Sequence, residues 1–165
     1  MDPERLIASR LHKELKGARR VGLGRGIPQA LKPMLPQDVE VVDLNGQGLH
    51  ASNLDVAVVE AREVTPEGHL SADPSLDLRG VEAKRWIAAM RQTGPDGLTR
   101  IVRRNRLPVS RQACIQEIVT ELALIEVQPL GFVLREVAPG VSSDDVRHAV
   151  DASLHVADDL RVMEW

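Results

Sequence analysis

Along this chain, short continuous apolar runs alternate with segments whose apolar residues recur at helical spacing, and turn residues separate them. Leu6, Ile7, Leu11 and Leu15 recur at helical spacing behind a cap at Asp2, which predicts a first helix. Continuous apolar runs predict buried strands at four later places: 21–23, 39–44, 54–59 and 84–90. Strands that alternate with helices in this way are typical of α/β architecture.

The remaining segments complete this predicted fold. Pro28 begins a second predicted helix, and the Gly-rich residues 45–53 predict a loop. Ser110 as a cap and an apolar stripe behind it predict a helix over 109–120. Further elements are predicted in the last third: a hairpin of 123–127 with 132–136, a helix over 142–149 and a strand at 154–156. We therefore expect one domain, 1–165, with a mixed, mostly parallel sheet flanked by helices.

Composition narrows the function classes. The net charge of −3 and only three aromatic residues argue against nucleic-acid binding. The single cysteine, Cys114, excludes an intramolecular disulfide and is expected to be a buried, inert thiol. The charged amino terminus lacks a signal-peptide pattern, and there is no apolar run long enough to span a membrane, so a cytoplasmic protein is expected.

Few residues suggest chemistry by their pattern alone. Gly24 and Gly26 follow a predicted strand, where exposed backbone N–H groups can hold a phosphate or a cofactor tail, although most such pairs only allow tight packing. The five histidines are scattered singly, so no metal site is predicted. A basic stretch around 100–111 could bind an acidic partner, a nucleotide phosphate or nucleic acid. The alternative is a solvated face of the protein, which is favoured.

Several segments, in order, carry a resemblance to a known family. They are Leu23-Gly24-Arg25-Gly26-Ile27-Pro28, Lys84 to Gly97, Leu107-Pro108-Val109-Ser110, Ile118 to Ala123, and Val137-Ala138-Pro139-Gly140-Val141. Together they resemble the β subunits of family I CoA-transferases over roughly four fifths of the chain. The resemblance implies the CoA-transferase β-subunit type of fold, coenzyme A as a substrate rather than a bound cofactor, and an α-type partner subunit or self-association.

In this family a β-subunit glutamate attacks an acyl-CoA thioester, and it lies in a Ser-Glu-Asn-Gly motif. The matching positions here are Asp43, Leu44, Asn45 and Gly46, so a leucine stands where the family has its nucleophile. A leucine cannot form the acyl anhydride that the mechanism requires. The resemblance places Gly24, Gly26, Asn45 and Gly46 in the CoA or acyl site.

Two other departures accompany Leu44. Part of the family's sequence is missing around 50–80, and a Gly-rich segment is replaced by residues 72–78. Asp43 and Glu60 are weak candidates for a substitute carboxylate, although Glu60 is more simply structural. Three functions stay open: a CoA-transferase subunit that moves CoA between carboxylic acids, a non-catalytic partner that binds acyl-CoA, and an acyl-CoA hydrolase or lyase that uses a partner's groups.

Overall fold

The computed structural model describes residues 2–165. The helices and strands of the first half are α1 (Pro3–Glu14), β1 (Arg20–Leu23), a 3-10 helix (Ile27–Met34), β2 (Glu40–Asp43), β3 (Ala51–Leu54), β4 (Val56–Glu60), β5 (Glu63–Val64), β6 (Leu70–Ser71), β7 (Val81–Ala83) and β8 (Trp86–Ala89). The second half contains β9 (Glu117–Val119), β10 (Ala123–Gln128), β11 (Gly131–Val137), α2 (Ser143–His148) and β12 (Leu154–Val162).

One eight-stranded sheet joins the two halves in the order β12-β11-β10-β9-β8-β4-β1-β2. The pairs β9-β10 and β10-β11 are antiparallel, and the other five pairs are parallel. The predicted α/β class with a mixed, mostly parallel sheet is therefore confirmed. Two small two-stranded sheets, β3-β7 and β5-β6, lie outside it.

Local sequence signals explain both α-helices. The Asp2 side chain accepts a hydrogen bond from the Glu4 N–H, and proline occupies the first position of α1. At α2, Ser142 and Asp145 form a reciprocal capping box, in which each side chain accepts a backbone N–H from the other residue. Both helix starts agree with the prediction, and so does the hairpin of β10 with β11.

The sheet has an apolar core on each face. Ile7 and Leu11 of α1 and Leu31 of the 3-10 helix are fully buried against one face. The other face buries a larger cluster, which includes Leu54, Ile118 and the only phenylalanine. The four strands β1, β4, β8 and β9 are thus covered on both sides, as their continuous apolar runs require.

The predicted helix over 109–120 is wrong. Ala113 has a φ of +49°, which a right-handed helix does not allow, and the N–H groups of Cys114 and Ile115 both donate to the carbonyl of Gly68. Strand β9 then begins at Glu117. The apolar stripe that suggested a helix instead packs a loop and a strand against the core, so tertiary contacts outweigh the local pattern.

Three boundaries also differ from the prediction. The segment 45–53, expected to be a loop, includes most of β3, which pairs with β7. The run 54–59 is broken at Asp55, because its carboxylate accepts the N–H groups of Arg19 and Arg20 and ties β1 to the start of β4. The last strand, expected at 154–156, extends to Val162.

Candidate functional site

A cleft opens beyond the carboxyl ends of the central parallel strands. The chain leaves β1 toward β2 on one side and returns to β4 on the other, so the connections diverge between β1 and β4. Sheets of this kind bind ligands at such a divergence. The cleft has a volume of about 210 Å³, and its lining residues are Arg25, Glu60, Ala61, Arg62, Asp73, Leu76, Met90, Arg91, Thr93, Gly94, Pro95 and Arg100.

Glu60 is the last residue of β4, and its half-buried carboxyl group lies in this cleft. It packs directly against Gly26, which has a φ of +81°, and a Cβ built on Gly26 would lie 2.7 Å from the Cδ of Glu60. Burial is the main cause that raises the pKa of Glu60, while the nearby N–H of Ile27 favours the charged form. Glycine at 26 therefore leaves room for a carboxyl group at the start of the 3-10 helix.

Both backbone polar groups of Gly24 are hydrogen-bonded within the chain. Its N–H donates to the carbonyl of Val58 at 2.9 Å, and its carbonyl accepts from Gln29 Nε2 at 2.6 Å. The Gly24 N–H is thus not free to hold a phosphate, and the Ile27 N–H faces Glu60. The first turn of the 3-10 helix already lies beside the carboxyl group of Glu60. When that group is charged, it repels a second anion at the same place.

Four arginines surround the cleft, and their ion pairs are long. Arg62 lies 3.4 Å from Asp73, Arg91 lies 3.8 Å from Glu121, and Arg100 lies 3.8 Å from Asp96. Arg25 has no carboxylate within 4 Å among residues 2–165, although its charge helps to lower the pKa of Asp73, after the hydrogen bonds from Ser75. The cleft therefore presents guanidinium groups that retain unused N–H donors.

A second, larger cleft of about 490 Å³ shares Arg62 and Leu76 with the first. Its wall is mostly aliphatic and includes the exposed side chains of Leu107 and Val109. The volume of this second cleft falls within the range of ligand sites, ~300–1,000 Å³. Arg62 and Leu76 contribute to the walls of both clefts, and Asp77 and Arg79 add charge to the second.

Leu44 lies in the core and not at a surface. It is fully buried, and its backbone N–H donates to the carbonyl of Leu23 at 3.0 Å. A Cβ on Gly22 would lie 2.9 Å from Leu44 Cδ2 and 2.8 Å from Leu54 Cδ1, so both leucine side chains pack directly over the Gly22 backbone. A charged group in that place would be removed from water without a partner.

The neighbours of Leu44 point in other directions. Asp43 is exposed, and its Oδ1 accepts the backbone N–H of Asn45 at 3.0 Å in a local turn. The side-chain oxygen of Asn45 is buried and has no hydrogen-bond partner in residues 2–165, whereas Gly46 is exposed. These residues follow β2, which is separated from β4 by β1, so they lie about 10 Å from the line of Glu60. The two groups of predicted site residues thus follow different strands.

Arg62 and Arg91 are not among the predicted site residues. Each is the second residue after a buried parallel strand, and that position is the available signal, because the carboxyl ends of parallel strands meet at one edge. The basic stretch proves heterogeneous: Arg100 lines the cleft, Arg106 pairs with the buried Glu63 at 2.9 Å, and Arg111 lies 4.6 Å from the Trp86 ring centroid.

Other candidate groups do not form sites. Cys114 is buried, and desolvation raises the pKa of its thiol to about 11, so it is a poor nucleophile. Residues 2–165 contain no cluster of three His, Cys, Asp or Glu side chains with the geometry of a metal site. No helix in that range has the length and apolarity needed to cross a membrane.

Comparison with known proteins gives the following matches. No protein-family model matches the chain. A probable coenzyme A transferase subunit beta of Bacillus subtilis is 23% identical over 202 aligned positions, which cover 91% of this chain and 93% of that protein. The acetate CoA-transferase subunit beta of Escherichia coli K12 is 24% identical, with 97% of each chain covered.

Solved structures agree on the fold. An acyl-CoA transferase of Escherichia coli O157:H7 superposes with a TM-score of 0.80 and 16% identity, and 99% of this chain covers 43% of that longer chain. A variant of the decarboxylase AibA/AibB gives a TM-score of 0.76 at 13% identity and is covered over 89% of its length. At such identities the likeness establishes the fold alone.

The predicted CoA-transferase type of fold is therefore confirmed, and the chain is similar over nearly its full length to proteins described as CoA-transferase β subunits.

Proposed function

We propose that this chain is a CoA-transferase β-like subunit that binds an acyl-CoA, paired with an α-type subunit, and that position 44 takes no covalent part. The observation that carries the proposal is the full burial of Leu44 over Gly22. The position that bears the nucleophile in the family resemblance is here a packing position. Loss of sequence around 50–80, a substitute carboxylate at Asp43 and a cytoplasmic location stay predictions.

The two neighbouring clefts support the binding half of this proposal. The smaller cleft, about 210 Å³, has room for a short acyl group and its thioester beside Glu60. The larger cleft, which also contacts Arg62 and Leu76, offers aliphatic surface for the arm of coenzyme A.

A hydrolase or lyase is the second candidate, and Glu60 favours it. Glu60 lies in the cleft, and burial raises its pKa, so it suits proton transfer better than a solvated glutamate does. The decarboxylase AibA/AibB has the same fold. In a hydrolytic reaction Glu60 would accept a proton from water as the water attacks the thioester carbonyl. It would return that proton to the sulfur of CoA as the carbon–sulfur bond breaks, which releases the free acid and the thiol of CoA.

Binding of butanoyl-CoA tests the proposal. We would titrate it into the chain as purified under native conditions, with any subunit that accompanies it. Thr93→Trp places an indole in the cleft, whereas Leu98→Trp adds the same group to an exposed position of the same loop. We expect Thr93→Trp to weaken binding at least about tenfold and Leu98→Trp to leave it within twofold. Absence of saturable binding to the unsubstituted chain, or equal binding by both variants, would overturn the proposal.

A further inference from the structure

Residues 72–78, between β6 and β7, contribute to a wall that the two clefts share. We call this segment the strap. We propose that the strap is a gate, which separates the clefts when it is closed and lifts at its middle to admit one acyl-CoA to both. This inference rests on the proposed function and adds to it a conformational step that controls access to the same site.

Leu76 is the part of the strap that stands between the clefts. Its side chain is only 7% exposed, belongs to the larger apolar core and lines both clefts, as Arg62 also does. An acyl group beside Glu60 and a CoA arm along Leu107 and Val109 would lie on opposite sides of these shared residues. A ligand that occupies both clefts must therefore displace Leu76.

Both ends of the strap are anchored on one neighbouring segment. The N–H of Ala72 donates to Ser110 Oγ at 2.9 Å, and the carbonyl of Leu78 accepts from Arg111 Nη1 at 2.9 Å. Ala72 and Leu78 are also buried. The strap thus has two fixed points, and a movement between them leaves the rest of the fold in place.

The middle of the strap is a turn that is closed by its own hydrogen bonds. Asp73 Oδ1 accepts from the backbone N–H of Ser75 at 2.9 Å and from its hydroxyl at 2.7 Å. The carbonyl of Asp73 accepts the N–H of Leu76 at 2.9 Å. These bonds lie within the turn, as in an Asx-turn, so they persist when the turn moves as a unit.

The polar contacts that hold this turn down are exposed. They are Gln47 Nε2 to the Ser75 carbonyl at 2.5 Å, Arg62 to Asp73 at 3.4 Å, and the Gly48 N–H to Asp77 at 3.3 Å. Exposed contacts of this kind contribute little, because water replaces them when they break. The remaining cost of lifting is the lost burial of Leu76, and the apolar part of a ligand between the clefts would offset it.

A cross-link across the strap tests the gate. We would combine Gln47→Cys with Ser75→Cys, join the two thiols with dibromobimane, and titrate CoA and butanoyl-CoA into the chain as purified under native conditions. The thioether links are stable to the thiol of CoA. Gln47→Cys alone, treated with the same reagent, is the matched control for the bulk of the label and for any reaction at the buried Cys114.

Butanoyl-CoA should bind at least about tenfold more tightly than CoA before cross-linking, because its alkyl chain is buried in the smaller cleft. Cross-linking should reduce this ratio to within about twofold and leave the affinity for CoA unchanged, since the arm lies in the larger cleft alone. The labelled Gln47→Cys control should keep the full ratio.

A second pair of variants tests the gate without a cross-link. Leu76→Ala removes most of the apolar contact that holds the turn down, so the open strap becomes more populated and butanoyl-CoA should associate at least about threefold faster. Leu70→Ala makes the same change at a buried position outside both clefts and should leave the association rate unchanged.

Three results would overturn the inference. An unchanged ratio after complete cross-linking, or equal association rates for the two alanine variants, would remove the gate and leave the proposed function intact. A parallel loss of CoA affinity on cross-linking would mean that the closed strap obstructs the larger cleft rather than the passage between the clefts. Absence of saturable butanoyl-CoA binding to the unsubstituted chain would remove the proposed function as well.

Discussion

Two glutamates with raised pKa values lie in contrasting parts of this molecule. Glu60 ends β4 in the open cleft, while Glu117 begins β9 beneath α1. Burial is the main cause in both, and the charge of Glu14 adds to it at Glu117, whose pKa rises to about 8. A shifted carboxyl group by itself therefore does not distinguish a site from a structural centre.

The partners of the two glutamates do differ. Arg85 contacts Glu14 at 2.6 Å and Glu117 at 3.2 Å, and Arg10 joins Glu14 to Glu136 with bonds of 2.5–2.8 Å. We call these five residues the α1 network. Both of its guanidinium groups form short ion pairs within the chain, although Arg10 Nη1 is buried and has no hydrogen-bond partner among residues 2–165, whereas those around Glu60 are separated from carboxylates by 3.4 Å or more. Open geometry and unused donors indicate a ligand site, and saturated pairs indicate structure.

The largest expected effect concerns Leu44, which the resemblance aligns with the family's nucleophile and which lies outside both the cleft and the α1 network. Leu44→Glu should lower the free energy of unfolding by about 3–5 kcal/mol, because it buries an unpaired charge over Gly22. Leu44→Met, which conserves volume, should cost under about 1.5 kcal/mol. Urea denaturation checks both, and an unchanged midpoint for Leu44→Glu would mean that position 44 is open to water.

Removing the charge of the α1 network should change how stability depends on pH. The pKa of Glu117 is above its unfolded value, so folding takes up a proton there, and this contribution to stability is present below about pH 4.5 and is lost as pH rises toward 8. Glu14 has a lowered pKa, so its own contribution changes only below about pH 4.5, and we expect Glu117 to account for a loss on the order of 2 kcal/mol between pH 5 and 8.

Glu117→Gln should remove most of that dependence and stabilise the chain at pH 8. Glu126→Gln changes the glutamate opposite Glu117 on β10, which is partly exposed and pairs with Arg135, and it should leave the pH profile unchanged. Thermal unfolding from pH 5 to 8 provides the measurement. A Glu117→Gln profile parallel to that of the unsubstituted chain would contradict the role assigned to the α1 network.

The smallest expected effect is a difference in stability between two glycine variants, one of which lies where the cleft meets the backbone. Gly26→Ala and Gly17→Ala both place a Cβ at a positive φ, +81° and +86°, but only the first also displaces Glu60. Each should lose about 1–2 kcal/mol from the left-handed conformation, and Gly26→Ala should lose about 1 kcal/mol more. Equal losses in urea denaturation would mean that Glu60 moves freely in the cleft.

The sequence predicted much of this fold and less of the site. Caps at Asp2 and Ser142 and the runs that became β1, β4 and β8 are local signals, and local signals predicted them well. The segment 109–120 was missed because the carbonyl of Gly68, distant in sequence, binds two of its N–H groups. No local pattern contains that contact.

The cleft residues could be grouped only once the order of the strands in the sheet was known. Glu60 was a candidate from its place at the end of an apolar run, but Arg62, Arg91 and Arg100 join it only because β4 and β8 are parallel neighbours. Asn45 and Gly46 follow β2 and stay apart from this group. The resemblance predicted the fold type, while the arrangement of charge in the cleft came from the structure.

The central claim is that position 44 lies in the core and that the chain binds acyl-CoA without forming a covalent bond to it. Its most direct measurement is mass spectrometry of the purified protein after incubation with butanoyl-CoA and borohydride or hydroxylamine trapping, with peptide mapping of 39–63. We predict an unmodified mass for every peptide of this chain. Conversion of Asp43, Glu60 or any other carboxylate of the chain to an alcohol by borohydride or to a hydroxamate by hydroxylamine would contradict the account.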